Sequence, residues 1–502
     1  MGRIYYILGI LAVMLPEVAR GEYRYRLHLD GKPESSLVQW SERAEQRRQR
    51  LGLEPDSLDL EVSPQYLDSI RMEGWQVVTQ SRWLNTVVVM QTNGKMIPEE
   101  QLQNLTYVTD YEVLTKSHRA TSRHRDVDAQ AVLGGENPVG DNCTSPLKQV
   151  NAYTSLYEAG YRGEGMLIAV LDAGFQKVDR WDWLSSRVVG SRDLYARTEA
   201  ASKVYTADNH GSCCMSIMAT PEEHGVCGTA QDALYYLVRT ETLDSESGLE
   251  EDMWVAGAEL ADSLGVDVIS SSLGYYEFDA GLVSHSKDEF AQLTATISRG
   301  AKVACQKGML VCNAAGNEGD ASWGSLLFPA DVDDVLTVGG VNKDGQMAYF
   351  SSRGFTVPYV KPDVLGRAMN CYTLNVYSQT GAATSSGSGT SYATPMIAGL
   401  CASLWSAVPE LTPQQLREAV RQSASHYLSP DSIHGYGLPD FAVALDLARE
   451  WTGHEDEEGM EILVEDTPCP ESYTLYGIPC KEERKGQNLL IESGKIVYRK
   501  HE

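Results

Sequence analysis

Four short runs in the middle of the chain are apolar at almost every position: Met166–Leu171, Ala233–Val238, Val266–Ser270 and Met309–Cys312. Continuous burial of that kind predicts parallel strands covered on both faces. Between them lie stretches of helix length, Leu249–Leu264 with apolar residues on one face and Phe290–Lys307, so strand and helix alternate. The pattern predicts an α/β domain, a mostly parallel sheet with helices on both faces and ligands at the carboxyl edge of the strands. Met396–Trp405 reads as a buried helix, with Pro395 expected in its first turn. Thr412 followed by Pro413 is a helix start.

Residues 22–115 show a different pattern. Tyr23–Leu29 alternates apolar and polar positions, Ser41–Arg50 is charged and helix-prone, and Trp83–Met90 reads as a strand. This is a small α+β unit. Ahead of it, residues 1–21 combine Arg3, the apolar run Ile4–Leu15 and small residues at Ala19 and Gly21, the pattern of a signal peptide. That run is too short to span a bilayer comfortably, and no later segment is longer, so no integral membrane segment is expected in the mature chain. The expectation is an exported protein, whether secreted, periplasmic or at the cell surface. Residues 116–149 read as a linker and processing region, since Thr115–Arg125 is polar, basic and aperiodic. The main domain is expected over 150–449, an acidic linker over 450–468 around Glu455–Glu458, and a short strand-prone tail over 469–502.

Charge narrows the class of partner. A formal net charge of −27 over 502 residues argues against nucleic-acid binding, which needs a basic face. Ten cysteines in an exported chain permit disulfides. Cys469 and Cys480 are placed to close a small loop, whereas Cys305, Cys312 and Cys401 sit in apolar patterns and read as buried thiols.

The chemistry begins at Gly389-Thr390-Ser391-Tyr392-Ala393-Thr394-Pro395, which presents a serine at the start of a buried helix. There the Ser391 N–H has no intrahelical acceptor and the helix dipole favours negative charge. A serine hydroxyl needs a base, and the base needs an orienting group. Asp172 closes the strand Met166–Leu171 and is the candidate orienter; His210, in Asn209-His210-Gly211-Ser212, opens a small-residue helix and is the candidate base. The chain order Asp, His, Ser differs from the two other common orders of this triad.

These blocks resemble those of the subtilases, the S8 family of subtilisin-like serine peptidases, of the exported bacterial type. Asp172-Ala173-Gly174, His210-Gly211-Ser212 and Gly389–Pro395 match the family's three motifs, and Ala314-Ala315-Gly316-Asn317 matches its Ala-Ala-Gly-Asn signature. The resemblance implies an Asp172–His210–Ser391 triad and an oxyanion hole formed by Asn317 and the Ser391 N–H. It also implies an extended polypeptide substrate lying along Ser272, Leu273, Gly274, Ala315 and Gly316, by strand addition. The unit 22–115 resembles the propeptide that covers the active site of such enzymes and assists folding; a permanent accessory domain is the alternative. No cofactor is implied. Structural calcium is common in the family, but no contiguous acidic loop marks a site here.

Other readings use the same residues. His210-x-x-Cys213 with His224-x-x-Cys227 has zinc-ligand types and spacing. Against it, Cys214 reads as a buried thiol beside the catalytic histidine, which predicts mercurial sensitivity without a metal requirement. A catalytically dead peptide-binding fold and a serine esterase are rivals from other classes. Tyr275 and Tyr276 follow Gly274 where many subtilases have a small residue, so a reshaped first specificity pocket is expected.

Overall fold

The computed structural model describes residues 23–33, 38–115, 141–196, 198–242, 245–279, 281–378, 384–453, 488–492 and 495–499. The signal-like segment, the basic stretch 116–140, the acidic run 455–458 and the Cys469 and Cys480 positions lie outside the described residues.

The N-terminal α+β unit contains β1 (Arg24–Leu29), α1 (Glu42–Leu51), α2 (Pro64–Met72), β2 (Trp75–Ser81), β3 (Thr86–Gln91), α3 (Glu99–Gln103) and β4 (Val108–Thr115). Its antiparallel sheet has the order β2-β3-β1-β4. Alternate residues Tyr25, Leu27 and Leu29 of β1 enter one core with Leu67 and Ile70 of α2 and with Val87 and Val89 of β3. That is the period-2 burial its sequence predicts.

The main domain follows as α4 (Asp141–Gln149), β5 (Leu167–Asp172), α5 (Asp182–Ser185), β6 (Val188–Asp193), α6 (His210–Ala219), β7 (Leu234–Arg239), α7 (Gly248–Leu264) and β8 (Val268–Ser271). It continues with α8 (Thr296–Gln306), β9 (Leu310–Ala314), β10 (Leu336–Val341), β11 (Val364–Arg367), β12 (Cys371–Leu374), β13 (Thr384–Gly387), α9 (Thr390–Ala407), α10 (Pro413–Gln422) and α11 (Phe441–Thr452). A 7-stranded sheet runs β11-β10-β9-β8-β5-β7-β6, with every pairing parallel. β5 is buried throughout and splits its side chains between two cores. Leu167, Ala169 and Leu171 pack with Trp254, Val255 and Ala258 of α7 and Ile297 and Ala301 of α8. Ile168 and Val170 pack with Ile217 of α6 and Met396, Ile397 and Leu400 of α9. β12 and β13 pair antiparallel, as do the tail strands β14 (Asn488–Glu492) and β15 (Lys495–Arg499). Cys305, Cys312 and Cys401 are buried free thiols.

The two units meet along α7 through ion pairs with little access to water. Asp252 receives Arg26 at 2.7 Å, Asp262 receives Arg47 at 2.5 Å and Arg82 at 3.1 Å, and Glu259 accepts from the Ser81 hydroxyl at 2.6 Å. Arg43 pairs with Asp267. Arginine forks from one unit thus meet carboxylates of the other in a buried seam, a geometry in which such pairs are strong when both partners stay in place.

Several elements differ from their sequence reading. The helix expected over Phe290–Lys307 begins only at Thr296, because Ala291 and Leu293 take left-handed φ of 61° and 55° and the Ala291 N–H donates to the Asp331 carboxylate. The strand expected from Trp83 begins at Thr86: the N–H groups of Arg82 and Trp83 are drawn instead to the Glu259 carboxylate at 3.2 and 3.0 Å. Of the span read as linker, residues 141–149 form α4, which buries Cys143 and Leu147 in the main core. Pro395 stands within α9, which starts five residues earlier at Thr390.

Candidate active site

β5 ends at the sheet's carboxyl edge with Asp172, fully buried, and α6 begins opposite it with His210. The Asp208 carboxylate accepts the His210 main-chain N–H at 2.7 Å and fixes the helix start. Gly211 allows the approach, since a Cβ there would lie 2.5 Å from the Gly174 carbonyl and 2.9 Å from Asp172 Cβ. His210 Nδ1 consequently reaches Asp172 Oδ1 and Oδ2 at 2.8 and 3.0 Å. With Nδ1–H donating to the carboxylate, Nε2 is the ring's basic nitrogen. Burial disfavours the imidazolium, but the Asp172 charge, Cys214 and the hydrogen bonds to both together outweigh it, and the histidine's pKa is raised well above its ordinary value.

Ser391 is the second residue of α9, and its carbonyl faces back toward the sheet. Pro395 has no N–H to give that carbonyl, so it accepts from Ser272 Oγ at 2.8 Å and Cys214 Sγ at 3.4 Å. The Ser391 hydroxyl makes a long hydrogen bond, 3.4 Å, to the Ser272 carbonyl. Asn317 follows β9. Its Oδ1 accepts from the Thr390 N–H at 2.9 Å and the Thr390 hydroxyl at 3.0 Å, which turns the Nδ2 donor toward the space beside the Ser391 N–H.

His210, Ser391, Asn317, Ser272, Leu273, Gly274 and Gly316 all line one cleft of about 680 Å³. Ala315, expected on its wall, is instead fully buried behind it. Its N–H donates to Val338 and its carbonyl accepts from Leu327, so neither group is presented to the cleft. Asp208, Glu241, Glu246, Glu277, Asp279, Glu318 and Asp320 also line the cleft, with no lysine or arginine among its described lining residues. All of this lining lies between Ala173 and Ser391, and the described part of the N-terminal unit docks on α7 rather than across the opening.

The zinc arrangement does not assemble. Cys213 Sγ turns toward the Leu374 carbonyl at 3.9 Å and the His224 ring stacks on Trp183 with centroids 4.2 Å apart. Cys214, rather than Cys213, approaches His210, 3.9 Å from both ring nitrogens. Asp172, His210 and Cys214 are the described set of potential ligands that cluster here. Tyr275 does not narrow the cleft: it is buried, with its hydroxyl on Glu241 at 2.5 Å. Tyr276 does line the cleft, stacked on Trp323 with centroids 4.5 Å apart. Sequence reasoning missed both donors to the Ser391 carbonyl, Ser272 and Cys214, although Pro395 signalled the need for one, and missed Thr390 as the group that orients Asn317.

An acid–imidazole pair and a serine at a helix start, gathered at the edge of a parallel sheet, fit the site of a serine endopeptidase. Residues 163–437 match the model of the subtilase family, and residues 30–129 match the S8 propeptide domain of Bacteroidota. The chain belongs to the subtilase family and is a subtilisin-like serine endopeptidase. It is 28% identical to subtilisin E of Bacillus subtilis over 307 residues, covering 59% of this chain and 70% of that protein. The same identity and length of match hold for subtilisin of Bacillus pumilus, there covering 97% of the relative. The solved epidermin leader peptide processing serine protease of Staphylococcus aureus shares the fold, with a TM-score of 0.58 and 16% identity over 87% of this chain and all of that one. Among the described residues no helix is long and apolar enough to cross a membrane.

Proposed function

We propose that Asp172, His210 and Ser391 are the catalytic triad and that Asn317 Nδ2 and the Ser391 N–H form the oxyanion hole. His210 Nε2 takes the hydroxyl proton as Ser391 Oγ bonds to a peptide carbonyl carbon. Asp172 keeps the ring in the required tautomer and stabilises the imidazolium. The proton then passes to the departing amine, and water, deprotonated by the same imidazole, hydrolyses the acyl-enzyme. The 2.8 Å contact of His210 Nδ1 with Asp172, in a cleft shared with Ser391 and Asn317, carries this reading. An organic cofactor has no step to perform in it.

The substrate is an extended polypeptide laid against Ser272–Gly274 and Gly316, and the carboxylates along the cleft disfavour acidic side chains in it. The N-terminal unit acts as the enzyme's own propeptide, removed after export within the basic stretch that follows Thr115, and the ion-paired seam along α7 is its docking surface. Replacing Ser391 with Ala should lower kcat by about 10⁶ and abolish labelling by a fluorophosphonate. Retention of peptidase activity in Ser391→Ala would refute the triad. An active enzyme whose N-terminus lies near Glu22 would refute removal of the N-terminal unit.

A further inference from the structure

Leu327 occupies the gap between the two segments expected to hold the substrate chain. Its N–H donates to the Ala315 carbonyl at 3.2 Å, and the next residue, Phe328, exchanges two main-chain hydrogen bonds with Tyr275, each 3.0 Å. Residues 327 and 328 are therefore pinned between the segment after β9 and the segment after β8. The Leu327 side chain, half-buried and on the cleft wall, reaches both. A Cβ built on Gly274 would lie 2.6 Å from Leu327 Cβ, and one built on Gly316 would lie 2.6 Å from Leu327 Cγ. Leucine carbons thus stand against the bare Cα of each wall.

The position of the gap gives it a role. If the scissile carbonyl oxygen sits between Asn317 Nδ2 and the Ser391 N–H, the residue bearing it lies over Gly316, beside Ser272–Gly274. Its side chain then enters the space between those walls, where Leu327 already stands. We propose that Leu327 is a specificity-determining residue: it shortens the slot for the side chain on the acyl side of the scissile bond and selects glycine, alanine or serine there over large or aromatic residues. The inference rests on the triad and oxyanion reading above. Of the two residues that sequence alone pointed to, Tyr275 is buried with its hydroxyl on Glu241, while Tyr276 lines the cleft stacked on Trp323.

The test uses tetrapeptide p-nitroanilides with the same first three residues, ending in Ala or in Phe. Enzyme purified from the full chain should cleave the Ala substrate with kcat/KM at least about 10-fold above that for Phe, the lower end of the discrimination that a single methylene of pocket space confers. Leu327→Gly should reduce that ratio by at least about 10-fold, chiefly through a lower KM for the Phe substrate, and Leu327→Ala should fall between. Wild-type enzyme that cleaves the Phe substrate as well as the Ala substrate would overturn the proposal. So would a ratio unchanged in variants that still label with fluorophosphonate. Absence of both cleavage and labelling in the wild type would instead remove the triad reading, and this inference with it.

Discussion

Pro395 stands four residues after Ser391 and cannot give its carbonyl the helical hydrogen bond, so Ser272 Oγ supplies one at 2.8 Å. The backbone of Ser391, the proposed nucleophile, is thereby tied to the strand end against which the substrate is expected to lie, with Cys214 Sγ as a second, weaker donor at 3.4 Å. Ser272→Ala removes the stronger tie. A net hydrogen bond is worth about 1 kcal/mol, so the unfolding free energy should fall by about that much, and the loosened Ser391 should show as a drop of up to roughly 5-fold in kcat. A variant with unaltered kcat would show that this bond does not position Ser391.

The His210–Asp172 pair fixes the direction of the pH profile. As the proposed base His210 must be neutral to accept a proton, and against the lowering effect of burial the Asp172 charge, Cys214 and the hydrogen bonds to both hold its pKa above the ordinary value of about 6.5. Activity should therefore rise with pH through a limb centred above that value, as the imidazolium loses its proton. Asp172→Asn removes the stabilising charge. Its acid limb should move to lower pH while kcat drops by about 10⁴, the cost of losing the tautomer control. A limb that stays in place in Asp172→Asn would assign the titration to another group.

The parts of the site that sequence revealed are those set by local rules. Asp172 could be placed because an apolar run that ends in a carboxylate must deliver it to a strand end, and Ser391 because a glycine-led turn precedes a buried helix. The propeptide-like unit was visible in its period-2 strands. Ala315 and Tyr275 were misplaced because local spacing does not tell which face of an irregular segment meets the cleft. Their burial is decided by Val338 and by Phe328, distant in the chain. Leu327 was invisible for the same reason. The sequence Ser325-Leu326-Leu327-Phe328-Pro329 carries no local signal of a cleft, and the role of Leu327 arises only where two glycine-bearing segments converge on it.

Gly389 borders the proposed oxyanion site with φ 158° and ψ 152°, a region of backbone space that side-chain-bearing residues rarely adopt. A Cβ there would lie 3.4 Å from Asn317 Nδ2 and 3.8 Å from the Ser391 nitrogen, ordinary contacts in themselves. They nevertheless crowd the place where an oxyanion must sit about 2.7–3.1 Å from both donors. Gly389→Ala should lower kcat by about 10²–10³ and, through backbone strain on the order of 1–3 kcal/mol, also lower the thermal midpoint, whereas Asn317→Leu should lower kcat by a similar factor. Because both act on one oxyanion, the double variant should lose far less than the product of the two. Full multiplicativity in the cycle would place Gly389 outside the oxyanion hole.

Asp262 is the centre of the seam that holds the N-terminal unit. Fully buried on α7, it lies 2.5 Å from Arg47, 3.1 Å from Arg82 and 3.8 Å from Arg48. Asp262→Asn keeps the volume but leaves the arginines without that charge, a loss on the order of 3–5 kcal/mol for a buried network. The measurement calls for a Ser391→Ala background, which prevents cleavage from obscuring docking. There, amide exchange along α1 and β2 should accelerate in Asp262→Asn while the sheet around β5 and β9 keeps its protection. Raising salt should do little in the parent protein, because buried pairs are weakly screened, whereas a solvent-exposed contact would loosen. Uniform acceleration across both units would show that Asp262 stabilises the main domain itself, and unchanged exchange would show that the seam does not hold the N-terminal unit in place.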